Sequence, residues 1–123
     1  MTPGEVVTAL IKANEARDID ALLDVLTDDV VYENVGMAVM NGHDEVRSLL
    51  GPFLDGAERV EWEVLRQIED GPTVMNERVD RFWLPGGKKI ELRVAGVFEV
   101  RDGKASLWRD YFDVADFNRQ MGT

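Results

Sequence analysis

Several residue types and patterns are missing from this 123-residue chain. It has no cysteine, which excludes disulfides, thiolate metal sites and cysteine nucleophiles. His43 is the only histidine, so a multi-histidine metal site is excluded as well. No window approaches the ~18 uninterrupted apolar residues of a membrane span, and the N-terminus lacks the pattern of a signal peptide. We therefore expect no bound metal, no membrane association and a cytoplasmic location.

Basic residues are scarce relative to acidic ones. The chain has 14 Lys and Arg against 24 Asp and Glu, which gives a net charge of −10. Such a surface repels phosphate backbones and the chain has no basic cluster, so nucleic-acid binding is not expected. The length suits one domain with a real core and is too short for two of ordinary size. Residues 1–123 are therefore predicted to form a single domain.

The first half of the chain has helical periodicity. Apolar residues at helical spacing predict a helix over 3–16, with Thr2 as its N-cap. A second helix is predicted from about residue 18 to near Asp28, followed by a short strand over 30–35. A loop then leads into a third helix that ends at Gly56.

From residue 59 the period changes from helical to two. Four strand-like runs, separated by the turn signals EDGP, PGGK and RDGK, predict an antiparallel meander, and residues 114–122 predict a last helical turn. These elements indicate an α+β fold in which a curved, mostly antiparallel sheet wraps around the N-terminal helices. Their order resembles the cone-shaped fold shared by nuclear transport factor 2, ketosteroid isomerase and scytalone dehydratase.

Charged residues occur on both faces of the run NERVDRF, residues 76–82. Side chains alternate along a strand, so Arg78, Asp80 and Phe82 share one face. Phe82 favours an inward direction for that face. In the last strand Trp108 marks the inward face in the same way, and this places Asp110 inside. The sequence thus predicts buried charges, which are costly unless they are paired.

The predicted inward charges can satisfy one another. An arginine between two aspartates satisfies both through its fork of donors. The trio of Asp80, Arg78 and Asp110 has a net charge of −1, so the carboxylates should titrate as a coupled pair, one ionised and one neutral. With Tyr32 and Asn34 on inward positions of the first strand, this gives a base and an acid facing an apolar chamber. A purely structural ion pair remains the alternative at this point.

Three motifs resemble those of the limonene-1,2-epoxide hydrolase family: VYENV, NERVDRF and GVFEVRDGKASLWRDYFDVADF. They occur in the same order and with nearly the same spacing. The resemblance implies an enzyme without a cofactor that adds water to a small apolar epoxide and gives a vicinal diol. It implies that Asp110, together with Tyr32 and Asn34, holds and deprotonates the water. It also implies that Asp80 protonates the epoxide oxygen and that Arg78 bridges the two carboxylates.

The resemblance further implies a homodimer formed through the outer face of the sheet. The predicted outward residues Leu107, Val79, Trp83 and Tyr111 agree with this. Eight apolar residues are candidates for the pocket wall and for substrate binding: Met37, Met40, Leu49, Phe53, Leu92, Val94, Phe112 and Phe117. Two competing interpretations use the same fold: an isomerase or cyclase of the ketosteroid isomerase or polyketide cyclase type, and a non-catalytic ligand-binding module.

Overall fold

The computed structural model describes residues 1–122, which form four α-helices and one six-stranded sheet. The helices are α1 (Pro3–Glu15), α2 (Ile19–Asp24), α3 (Gly42–Gly56) and α4 (Val114–Met121). The strands are β1 (Leu26–Asn34), β2 (Ala38–Asn41), β3 (Arg59–Asp70), β4 (Thr73–Leu84), β5 (Lys88–Arg101) and β6 (Lys104–Tyr111). Within this described range, no helix is long and apolar enough to cross a membrane.

Helix α1 begins at the predicted cap. The Thr2 hydroxyl accepts the main-chain N–H of Glu5 at 3.2 Å, and the Glu5 carboxylate accepts the N–H of Thr2 at 2.8 Å. This reciprocal capping box satisfies two donors that the first helical turn leaves free. The apolar stripe of α1, which includes Val6 and Leu10, is fully buried against the sheet.

The second helix is shorter than predicted. It ends at Asp24, and the residues expected to complete it begin β1 instead. Leu26 pairs with Ala105 of β6, and the Ala105 N–H donates to the carbonyl of Val25 at 2.8 Å. Backbone groups that would have formed hydrogen bonds within a longer helix instead pair with β6. Over so short an apolar run, periodicity does not separate the two outcomes.

The loop predicted before α3 contains a strand that the sequence analysis missed. Residues of β2 pair antiparallel with β1 in a four-residue ladder. A strand of this length shows too few alternations for its period to be read. The predicted end of α3 at Gly56 and the helical tail after residue 114 are both confirmed.

The sheet has the order β2-β1-β6-β5-β4-β3. Strands β1 and β6 run parallel, and every other neighbouring pair is antiparallel. The predicted α+β fold with a mixed, mostly antiparallel curved sheet is confirmed. Helices α1 and α3 pack on its concave face, where the core lies.

The two faces of β4 follow the predicted alternation. Arg78 and Asp80 are buried on the concave side, beside Phe82. Arg81 lies on the outer side, where its guanidinium donates to Glu61 at 2.9 Å and to Glu91 at 2.8 Å. The charge on the outer face is therefore neutralised by neighbouring strands, and the charge on the inner face must be neutralised inside the core.

Gly96 makes room for the buried arginine. It lies on β5 between Asn76 of β4 and Asp110 of β6 in the strand register. A Cβ atom at this position would lie 2.4 Å from Nη1 of Arg78 and 2.8 Å from Oδ1 of Asn76. Adjacent strands are about 4.8 Å apart, so Arg78 must cross β5 to reach β6. The missing side chain of Gly96 is what allows this crossing.

We predict that Gly96→Ala lowers the free energy of unfolding by about 1–3 kcal/mol, because the added methyl group displaces the Arg78 guanidinium. The matched control is Gly56→Ala at the end of α3, where an added Cβ meets no atom within 4 Å. We expect this control to be neutral or stabilising by up to about 1 kcal/mol. Urea denaturation followed by circular dichroism measures both. Equal stability of the two variants would contradict the close approach.

Candidate active site

The concave face of the sheet encloses a cavity of about 230 Å³ between the strands and helices α1, α3 and α4. Seven of the eight candidate wall residues line it: Met37, Leu49, Phe53, Leu92, Val94, Phe112 and Phe117. Their contact with a substrate stays a prediction. The wall also contains five residues that the sequence analysis did not assign to it: Asn14, Leu50, Leu54, Trp62 and Phe82.

The eighth candidate, Met40, is not among the residues that line this cavity. It lies on β2 opposite Tyr32 and is buried in the core. The sequence analysis assigned it to no helix or strand. Its position in a paired strand packs it into the core, so it does not line this cavity, and any contact with a substrate stays a prediction.

Arg78 is fully buried and forms a fork with Asp80. Its Nε donates to Oδ1 of Asp80 and its Nη2 donates to Oδ2, both at 3.0 Å. Nη1 donates to Oδ1 of Asn76 at 3.0 Å, and the guanidinium carbon lies 4.7 Å from the ring centre of Trp62. Bidentate pairing and an aromatic face are the contacts that a buried guanidinium requires. Asn76 and Trp62 were not recognised from the sequence as partners of Arg78.

The Asp110 carboxylate accepts fewer hydrogen bonds than that of Asp80. Its Oδ2 accepts the indole N–H of Trp108 at 3.0 Å. Its Oδ1 is 3.1 Å from Nη2 of Arg78, close enough for an ion pair. This contact does not have hydrogen-bond geometry, and Oδ1 has no hydrogen-bond partner within residues 1–122. Oδ1 of Asp110 is thus held by an ion-pair contact alone, without a hydrogen bond, and Asp110 lines the cavity.

Tyr32 and Asn34 lie beside Asp110 because β1 and β6 are parallel neighbours. Asn34 is in register with Asp110, and Tyr32 is in register with Trp108. The Tyr32 ring stacks on Trp108 with ring centres 3.7 Å apart. Tyr32, Asn34, Asp80 and Asp110 line the cavity, and the fully buried Arg78 contacts the two carboxylates from behind the wall.

Burial controls the protonation of this cluster. It raises the pKa of Asp80 to about 6, against the opposing effect of Arg78. It also raises the pKa of Asp110, again opposed by Arg78 and by the Trp108 hydrogen bond. Burial disfavours the charge of Arg78 itself, but Asp110 and Asp80 together raise its pKa, so this side chain stays protonated. With one fixed positive charge, the pair of carboxylates favours holding one proton.

His43, the only histidine of the chain, has its Nε2 3.0 Å from the carbonyl oxygen of Leu26 and lies outside the cavity wall. Within residues 1–122, no group of three or more His, Asp or Glu side chains is arranged to hold a metal ion.

The sequence model of the limonene-1,2-epoxide hydrolase catalytic domain matches residues 1–122. Epoxide hydrolase EphG of Mycobacterium tuberculosis is 40% identical over 110 residues, which cover 89% of this chain and 72% of that protein.

Solved structures extend the comparison. The structure of an M. tuberculosis epoxide hydrolase of the limonene type matches with a TM-score of 0.83 and 38% identity, over 94% of this chain and 86% of that one. A protein described as a SnoaL-like polyketide cyclase from Shewanella denitrificans has a TM-score of 0.86 at 14% identity, over 98% and 96% of the two chains. This second likeness shows the fold alone. On the family match and the 40% identity, the chain belongs to the limonene-1,2-epoxide hydrolase family.

Proposed function

We propose that this epoxide hydrolase adds water to a small, largely apolar epoxide in one step, with Asp110 as the base and Asp80 as the acid. The observation that carries the proposal is the difference between the two buried carboxylates. Both oxygens of Asp80 accept hydrogen bonds from Arg78, whereas Oδ1 of Asp110 has an ion-pair contact with Arg78 but no hydrogen bond. A general base needs a free oxygen within reach of the proton that it removes.

The proposed water site lies between Asp110, Tyr32 and Asn34. Oδ1 of Asp110 accepts a hydrogen bond from the water, and the hydroxyl of Tyr32 and the amide of Asn34 fix the orientation of the water. Burial and the nearby charge of Asp110 raise the pKa of Tyr32, so the phenol keeps its proton and can act as a donor. The water is thereby held against a base inside an apolar cavity.

Ring opening then needs one proton at the leaving oxygen. As the water oxygen bonds to one epoxide carbon, that carbon's bond to the ring oxygen breaks. Asp110 takes a proton from the water, and Asp80 gives its proton to the ring oxygen. The products are a vicinal diol, a protonated Asp110 and an ionised Asp80. The strained ring supplies driving force, and no covalent bond to the enzyme forms.

Arg78 can stabilise the negative charge on either carboxylate, because its Nη2 contacts both. Its two hydrogen bonds to Asp80 stabilise the ionised form of that carboxylate, which is the form present just after ring opening. The next turnover requires the proton to return from Asp110 to Asp80. This transfer leaves the total charge of the trio unchanged, and Arg78 contacts whichever carboxylate is ionised.

The cavity wall supports an apolar substrate. Apart from the catalytic cluster, the wall is almost entirely aliphatic and aromatic, with Phe53, Phe82 and Phe112 among its residues. A ligand with one polar oxygen leaves few groups without a partner in such a pocket.

We also propose that residues 1–123 form one domain. The cytoplasmic location stays a prediction from the sequence.

We expect Asp110→Asn and Asp80→Asn each to reduce diol formation from limonene oxide, cyclohexene oxide and styrene oxide by at least about 10²–10⁴-fold, because each removes one proton transfer. The matched control is Glu77→Gln on the outer face of β4, whose ion pair with Arg66 is exposed. Its activity should stay within about twofold of the wild type. Chromatography of the diols measures all three variants, after circular dichroism has shown that they are folded.

Two outcomes would count against the proposal. If no epoxide in the panel gives a diol, the isomerase or cyclase interpretation returns. If a single turnover in oxygen-18 water places the label first in a protein carboxylate, water does not attack the epoxide directly. Label that enters the diol alone is the result that the proposal predicts.

We further propose that a second copy of the chain covers the outer face of the sheet around Val79, Trp83, Leu107 and Tyr111. Tyr111, the last residue of β6, is 45% exposed. Tyr111→Glu should convert a dimer into a 13.9 kDa monomer in sedimentation velocity. The control Thr8→Glu adds the same charge on exposed α1 and should leave the dimer intact. A monomeric wild type at micromolar concentration would refute this part of the proposal.

A further inference from the structure

We propose that Asn14 forms a second polar subsite in the cavity, which binds a hydroxyl group of the epoxide substrate. The inference rests on the proposed function, because it adds a feature to the substrate of the same cavity. The preferred substrate is then an epoxide with one alcohol group on an otherwise apolar skeleton.

Asn14 is fully buried in the last turn of α1 and lines the cavity. Its Nδ2 donates to the carbonyl oxygen of Leu10 at 3.0 Å. A carbonyl oxygen accepts only from the amide nitrogen, so this bond fixes the orientation of the side-chain amide. The other amide atom, Oδ1, is a buried acceptor with no hydrogen-bond partner in the described part of the chain.

This polar group is separate from the catalytic cluster. The other polar side chains of the wall are Tyr32, Asn34, Asp80 and Asp110, which project from strands and belong to the proposed proton transfers, and the indole N–H of Trp62. Asn14 projects from a helix and is not part of that cluster. Leucine would fill this position with no acceptor left unpaired, and an unpaired buried acceptor costs stability. A ligand donor in the cavity would remove that cost.

Trp62 supplies a matching donor. It lines the cavity from β3, and its indole N–H also has no partner among residues 1–122. Its main-chain N–H donates to the carboxylate of Glu15 at 3.0 Å, and Glu15 directly follows Asn14. The helix and the strand therefore meet at this part of the wall. A hydroxyl both donates and accepts, so it matches a free acceptor and a free donor, whereas an ether or a ketone can only accept.

The position of the subsite is compatible with the reaction. Trp62 is in register with Asp80 across β3 and β4, so the subsite lies on the side of the proposed acid. The proposed water site lies beside Asp110, on the β1 and β6 side of the sheet. A hydroxyl bound at Asn14 thus helps to place the epoxide oxygen near Asp80 and leaves the path of the water free.

The test compares three cyclohexene oxides that carry a hydroxyl, a methoxy group or no substituent on the ring. For the wild type we expect kcat/KM to be about tenfold or more higher for the hydroxyl compound than for the methoxy compound. Asn14→Leu, which keeps the size of the side chain, should abolish this preference and raise the melting temperature. The control Leu54→Met changes the wall without changing its polarity and should affect all three compounds by a similar factor.

The outcomes separate the subsite from the reaction. Diol formation with no hydroxyl preference in the wild type, unchanged by Asn14→Leu, would overturn the subsite and leave the proposed function standing. If no compound gives a diol, the proposed function fails. The subsite is then tested by NMR titration with cyclohexanol and with cyclohexyl methyl ether. Asn14→Leu should weaken cyclohexanol binding by about tenfold and leave ether binding unchanged, and equal effects on both would overturn the subsite.

Discussion

The rest of the structure depends on the guanidinium of Arg78, a cation that is held inside the core. Such a charge costs several kcal/mol unless every donor has a partner. Its partners come from different strands: Asp80 and Asn76 from β4, Asp110 from β6 and the ring of Trp62 from β3. Gly96 of β5 leaves the space in which they meet. The cation can therefore be buried only when the central sheet has assembled.

Arg78 contacts the two carboxylates unequally, and this difference underlies their different roles in the proposed reaction. Asp80 accepts two hydrogen bonds from Arg78, whereas one oxygen of Asp110 has only an ion-pair contact with it and no hydrogen bond. In the proposed reaction that oxygen receives the proton of the water while Asp80 releases its own. The total charge of the trio does not change, so the apolar cavity never has to accommodate an additional charge.

Alternation along single strands was sufficient to predict most of the candidate site. Phe82 fixed the direction of the β4 face that bears Arg78 and Asp80, and Trp108 did the same for Asp110. Periodicity within one segment carries no information about the spacing between strands. The need for a glycine at position 96, where Arg78 crosses β5, could therefore not be predicted. Asn14 was missed because one polar residue on an apolar helix face fits a surface position equally well. The end of α2 and the whole of β2 were missed because short runs fit both periods.

The most direct test of the one-proton carboxylate pair is the dependence of kcat/KM on pH. Loss of the Asp80 proton removes the acid, so activity should fall as the pH rises through about 6, the pKa of Asp80. Protonation of Asp110 removes the base, so activity should also fall at low pH, which gives a bell-shaped profile that belongs to the coupled pair. Activity that rises with pH to a plateau, as a single base would produce, would contradict the account.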